Sequence, residues 1–198
     1  MRKNSVYTIH PGFAMEESSV ANLKERTGRT IEEWVRMVKK SGPPTEKERI
    51  AWLKSAHGIT TNYAGWIAKR ADGGGSAASY DPDSMVEEMF AGKKAGLRPI
   101  YDQMLELAFE LGKDVRVSPC KTMVPFYRKH VFAQVKPATN TRVDLGFAFK
   151  DMKPAGKLLS TGGFEKGDRI SHRIPVGSVE EIDKEVRKWL KQAYEMDV

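Results

Sequence analysis

The chain has 198 residues, 40% hydrophobic and 30% charged, with a formal net charge of +7 and one cysteine. No apolar run approaches the roughly 20 residues a membrane span needs, the basic residues 1–5 lead into no apolar leader segment, and a lone Cys120 excludes an intrachain disulfide. The expectation is a cytoplasmic protein with no membrane contact.

In chain order, residues 1–14 form an N-terminal extension and 15–71 a helical module. A first helix is predicted over 16–26, with Val20 and Leu23 on one side. Thr30 stands three residues before Glu33, a capping box, and Ile31, Trp34, Val35 and Val38 follow at helical spacing. Gly42, Pro43 and Pro44 end that helix. Thr45 and Glu48 repeat the device ahead of Ile50, Trp52 and Leu53, and Gly58 closes the third helix. A fourth runs over 62–70. The third helix, the turn at 57–60 and the fourth helix have the outline of a helix-turn-helix. Lys54 sits awkwardly in it, where a small residue suits the close approach. In that reading Asn62 and Lys69 face a groove and Arg70 meets phosphate. The same pattern also suits a plain helical bundle whose tryptophans, Trp34, Trp52 and Trp66, are core.

Residues 72–81 contain Gly73, Gly74 and Gly75 followed by small residues. Such a run buries little and loses much entropy on ordering, so it is expected to be a flexible linker.

An α+β module follows over 82–198. Pro82 opens a helix over 83–90, and a longer one runs over 97–111 with Ile100, Met104, Leu107 and Leu111 on one face. The period then changes to two. Strands are predicted at Val115 and Val117 and over 122–127, 131–135, 142–147, 157–161 and 170–176. A last helix over 179–194 is opened by Ser178 with Glu181 three residues on. The expected fold class is therefore α+β: a small helix-turn-helix-like bundle linked to an antiparallel sheet with helices on one face. Alternation turns Val131, Ala133, Val135, Val143, Leu145 and Phe147 toward the helices, and Phe132, Gln134, Lys136, Arg142 and Asp144 to the other face.

Charge is unevenly spread. Residues 1–80 hold 13 Lys/Arg against 8 Asp/Glu, 81–112 hold 3 against 7, 113–173 hold 13 against 5, and 174–198 hold 4 against 6. Two positive pieces thus flank an acidic helical stretch, a distribution that steers an anionic partner. The candidate nucleic-acid or anion contacts are Asn62, Lys69 and Arg70 in the first module and Lys121, Arg128, Lys129, Phe132, Lys136, Arg142 and Arg173 in the second. An aromatic among basic residues on strands suits stacking and phosphate contact. Arg142 and Asp144 equally suit a structural salt bridge.

Other chemistries find little support. His10, His57, His130, His172 and Cys120 show no paired ligand spacing, so no metal and no cofactor is expected. Cys120 beside Lys121 either has a lowered pKa or fills space. Gly73–Gly75 lacks the Lys-Ser/Thr of a phosphate loop.

Two stretches resemble known families. Thr27-Gly-Arg-Thr-Ile-Glu-Glu-Trp34, Lys47-Glu-Arg-Ile-Ala-Trp-Leu-Lys54, His57-Gly58 and Asn62-Tyr-Ala64 resemble a short helical bacterial domain of unknown function. Leu97-Arg-Pro-Ile-Tyr-Asp102, Arg142-Val-Asp-Leu-Gly146, His172-Arg173 and Trp189-Leu-Lys-Gln-Ala-Tyr194 resemble an α+β domain of unknown function. More distantly, that part is similar to small domains labelled iron-chaperone-like. Domains of the nearer family occur beside restriction-type nucleases, which by association implies nucleic-acid work. Cys120 stands where this resemblance leads one to expect a lysine.

The resulting expectation is a non-enzymatic binding protein, associated with nucleic acid through both modules. One alternative is a small anionic-ligand binder or enzyme with a polar pocket of Arg142, Asp144 and His172. Another is a protein-interaction adaptor.

Overall fold

The computed structural model describes residues 5–150 and 152–198, so the first four residues of the expected extension lie outside the described residues. The chain divides into two compact units, Ile9–Tyr80, and Asp81–Val198 joined by the N-terminal segment that ends at Thr8.

The first unit is helical: α1 (Gly12–Ala21), α2 (Leu23–Thr27), α3 (Ile31–Ser41), α4 (Glu46–His57) and α5 (Thr61–Ala71). The single helix expected over 16–26 is two, interrupted at Asn22 with φ −91° and ψ 3°. The Asn22 amide donates to the Ser18 carbonyl at 3.4 Å, the local competition that makes asparagine a helix breaker. Both expected capping boxes form, Thr30 with Glu33 and Thr45 with Glu48. Gly58 ends α4 at φ +66°, a left-handed position that favours glycine, and Ile59 plugs the core beside it. That core holds Leu23, Trp34, Val38, Leu53, Ile59 and Ile67, with half-buried Trp52 and Trp66 against it. The Trp34 indole donates to Thr27 Oγ1 at 2.8 Å, and Tyr63 Oη donates to the Ser19 carbonyl, tying α5 to α1. Beyond α5, the backbone N–H groups of Asp72, Gly73 and Gly74 close the helix end, Arg49 pairs with Asp72, and Ala77–Ser79 forms one short 3-10 turn.

The second unit holds α6 (Pro82–Met89) and α7 (Arg98–Leu111), then strands β1 (Arg116–Val117), β2 (Val124–Tyr127), β3 (Val131–Pro137), β4 (Val143–Phe147), β5 (Leu159–Ser160) and β6 (His172–Val176), and finally α8 (Lys184–Met196). All neighbouring strands are antiparallel, in the order β1-β2-β3-β4-β6-β5. α8 lies across β3 and packs on α7, burying Met104, Phe126, Leu145, Phe147, Phe149, Ile174 and Leu190 in one core. The last helix starts later than its capping pattern predicts. Val179–Glu181 is a 3-10 turn, Glu181 accepts from the Gly177 N–H instead, and Asp183 caps α8 by accepting from the N–H groups of Glu185 and Val186 at 2.9 and 3.1 Å. The N-terminal segment docks on this unit: Thr8 N–H donates to the Val117 carbonyl at 2.8 Å, and Tyr101 Oη bonds Tyr7 Oη at 2.9 Å.

Alternation fails at two predicted positions, Phe132 and Val131, the latter expected toward the helices but paired with Tyr127 on the other face. Phe126 pairs with Ala133 but Tyr127 pairs with Val131, so β3 carries an extra residue, a bulge at Phe132. The bulge turns Phe132 to the helix side, fully buried with its ring 5.6 Å from Tyr194. Phe132 is therefore core, and the expected aromatic of the helix-free face is absent from it.

Candidate anion-binding face

The helix-free face of the sheet is partly covered. Pro125 and Tyr127 are buried, and Ile170 lies over Gly146, where a Cβ would stand 2.7 Å from Ile170 Cγ2. Burial pushes the Tyr127 phenol up to about 12. Exposed polar side chains gather instead at the end of the sheet where β3 turns into β4.

Strand register explains the gathering. Lys136 faces Asp144 across the β3–β4 pair, and Gln134, Gly146 and Arg173 stand in one cross-strand row. Arg142 immediately precedes Val143, the partner of Pro137, so it sits at the same end as Lys136. Lys121 lies three residues before Val124, which pairs with Val135, and so reaches that end from β2. Lys94 Nζ donates to the Pro137 carbonyl at 3.2 Å and adds a fourth cation there. The turn between the strands is polar and exposed at Thr139, Asn140 and Thr141.

Asp144 organises the two arginines. Its side chain is only 16% exposed; Arg173 Nη1 donates to Oδ2 at 2.6 Å, and Arg142 Nε lies 2.9 Å from Oδ1. Arg142 Nε and Asp144 Oδ1 have no well-angled hydrogen-bond partner, so that second contact is held by charge. The guanidinium-bearing side chains remain 41% and 32% exposed, for Arg142 and Arg173. A carboxylate that fixes one edge of a guanidinium leaves its remaining N–H groups pre-oriented for a phosphate or carboxylate. Glu181 is turned onto Gly177, from whose N–H it accepts.

The remaining candidates are placed elsewhere. Lys129 and Arg128 lie at the opposite end of β3, about 20 Å from Lys136 at roughly 3.3 Å per residue. Lys129 is exposed there, whereas Arg128 is built into the unit: its Nε donates to Asp114 Oδ2 at 2.9 Å, its Nη1 to the Tyr194 carbonyl, and its guanidinium stacks 4.3 Å from the Tyr194 ring centroid. Tyr194 Oη and Arg128 together hold the Asp114 carboxyl below the usual carboxylate range.

His172 is not beside Arg142 and Asp144. Period two along β6 turns it to the helix side with Ile174 and Val176, where it is buried against Phe149, with Nδ1 2.9 Å from Ser171 Oγ and Nε2 2.8 Å from the Met152 carbonyl. The pocket of Arg142, Asp144 and His172 is thus divided by the sheet itself. Cys120 is a half-buried thiol that burial pushes up, the direction opposite to activation. Among the described residues no three of His, Cys, Asp and Glu are grouped as a metal ion would require.

On the helical unit, Asn62 and Lys69 are exposed on α5, with half-buried Trp66 between them at helical spacing. Arg70 turns away from that stripe to pair with the buried Glu16 at 3.1 Å, so its charge is spent inside the unit. Burial raises the Glu16 carboxyl above its ordinary range.

A family model described as a domain of unknown function, DUF5655, matches residues 86–197. The chain belongs to the DUF5655 family. A second domain of unknown function, DUF4287, matches residues 16–73. The DUF5655 match covers the whole sheet with α7 and α8, and hence the arginine pair; the DUF4287 match covers α2 to α5 entire and part of α1. No curated protein and no solved structure matches the chain. Among the described residues no helix is long and apolar enough to cross a membrane.

Proposed function

We propose that the protein binds nucleic acid by contacting its phosphate backbone, with the β3–β4 end of the sheet as the principal contact and the exposed stripe of α5 as a second. The observation that carries this reading is the convergence of Lys94, Lys121, Lys136 and Arg142 on one end of the sheet, with Arg142 and Arg173 oriented by Asp144. Phosphate contacts give register without sequence information. With Phe132 and Phe126 in the core and Tyr127 largely covered on the helix-free face, the described residues of this face offer no open aromatic platform for stacking bases. The reading therefore favours duplex backbone over unpaired bases. Contacts from two units on one chain reinforce each other through effective concentration when both reach the same nucleic acid.

The test is binding of the full chain to a labelled 20-base-pair duplex (about two helical turns) and to the matching single strand, across a salt series. Duplex binding that weakens steeply with salt supports the reading. No binding to either strand form at low salt would end it.

A further inference from the structure

A second region, apart from the cationic end of the sheet, has the build of a small-molecule site. A cleft of about 450 Å³ opens between the start of β3, the segment that follows β4, the turn before β6 and the end of α8. Its floor and walls are Phe132, Phe149, Phe164 and Met196, and its polar rim holds His130, Lys150 and Arg169 with Asp168 and Asp197. This volume and mixture, mostly apolar walls with a few convergent polar groups, is what ligand pockets of drug-sized molecules show. Phe164 and Met196 are 49% and 48% exposed at its edge. Large apolar side chains left half in water beside a concavity are the part of the wall that a bound apolar group would cover.

The rim is pre-arranged by one carboxylate. Asp197, only 5% exposed, accepts from the His130 backbone N–H at 2.7 Å through Oδ2 and from Arg169 Nη2 at 3.0 Å through Oδ1, which also lies 3.1 Å from His130 Nδ1. Arg169 Nε donates in turn to the Val131 carbonyl at 2.6 Å. Two edges of the guanidinium are thus fixed, while the side chain stays 49% exposed. With Asp197 committed to His130 and Arg169, the donors left toward the cleft are the outer edge of Arg169 and exposed Lys150. Asp168 is the opposing charge, carried on the exposed turn at the rim.

We propose that this cleft binds a small aromatic anion, its ring against Phe164 and Met196 and its acid group on Arg169 and Lys150. The ligand class follows from the juxtaposition of an aromatic wall with a guanidinium locked by a buried carboxylate.

The probe is 8-anilinonaphthalene-1-sulfonate, an aryl sulfonate whose fluorescence rises on binding, titrated into the folded full chain. One saturable site is expected, displaced by phenyl phosphate and not by the uncharged N-phenyl-1-naphthylamine at equal concentration. Arg169→Gln and Lys150→Gln should each weaken it about tenfold, the worth of one charge-assisted contact. Phe164→Ala should weaken it about fivefold, whereas Asp168→Asn should strengthen it two- to threefold by lifting a like charge. Lys150 and Phe164 are exposed, so those variants keep the fold, which an unchanged melting curve verifies. Lys136→Glu, on the sheet end proposed for nucleic acid, should leave the probe site unaltered, which separates this inference from that reading. Absence of a saturable site, or a site indifferent to both Lys150→Gln and Phe164→Ala, would overturn it.

Discussion

The helix-covered face of the sheet is apolar along β2, β3 and β4 and, but for His172, along β6, whereas the opposite face is a mixture of local cover and charge. On the covered side Val124, Phe126, Ala133, Val135, Val143, Leu145, Phe147, Ile174 and Val176 are buried in one continuous core. On the other side Pro125 and Tyr127 are buried, Gly146 lies under Ile170, and only the β3–β4 end presents Lys136, Arg142, Asp144 and Arg173. Burial of apolar area stabilises the first face without regard to charge. The second gains little from its ion pairs, because partly exposed pairs are worth about 0–1 kcal/mol. The arrangement of that cluster is therefore better tested by binding than by stability, and anion contact is the role proposed for it.

Substitutions on the two faces should therefore separate stability from binding. The largest effect belongs to the core: Phe132→Ala is expected to cost about 3–5 kcal/mol in chemical denaturation, because the bulge has put that ring inside. An effect below about 1 kcal/mol would place Phe132 on the polar face after all.

Asp144→Asn sharpens the comparison from the other side. It raises the net charge by one, so simple attraction predicts tighter nucleic-acid binding. If Asp144 serves to orient Arg142 and Arg173, duplex affinity should instead fall about threefold to tenfold, with a stability loss of about 1–3 kcal/mol from the two arginines left without their carboxylate. Tighter binding would reduce the cluster to undirected charge.

Lys136→Ala should leave the melting temperature unchanged and reduce the salt slope of duplex binding by about one. A melting shift without a change in slope would make Lys136 a structural residue.

The smallest expected effect lies outside both faces. Asp183 is held below its ordinary 3.8, first by the Lys157 ammonium and then by the N–H groups it caps. A depressed carboxyl contributes stability above that ordinary value and loses it as pH falls through its folded value. Asp183→Asn should accordingly lower the melting temperature at pH 7 but leave a much smaller difference from the parent chain near pH 3. An equal difference at both values would show that the charge is irrelevant there.

Local signals in the chain were legible where they are local in physics. The two Thr-x-x-Glu capping boxes, the closing glycine at 58, and the period-two burial of Val143, Leu145 and Phe147 all appear as read. So does the α+β architecture with helices on one face. The misreadings share a cause, which is that tertiary partners decide them. A bulge of one residue reverses the face of Phe132, and nothing in the residues 131–137 announces it. Arg70 is claimed by Glu16, 54 residues earlier, and Arg128 by Asp114 and Tyr194. Ser178 and Glu181 mimic a capping box, yet Asp183, two residues beyond Glu181, holds the helix start. Lys94 was hidden by its acidic neighbourhood in sequence, although the fold carries it to the basic end of the sheet. The rim of the cleft is assembled from His130, Arg169 and Asp197, whose spacing offers no pattern at all.

The most direct test of phosphate contact at the β3–β4 end is the salt dependence of duplex binding by the full chain beside its Arg142→Gln/Arg173→Gln double variant. Glutamine can still donate to Asp144, so the fold is expected to survive, which an unchanged melting curve would establish. The prediction is that log affinity falls linearly with log salt for both, with the slope of the double variant shallower by about two, one for each phosphate that an arginine no longer neutralises. Identical slopes and affinities for the two proteins would contradict it.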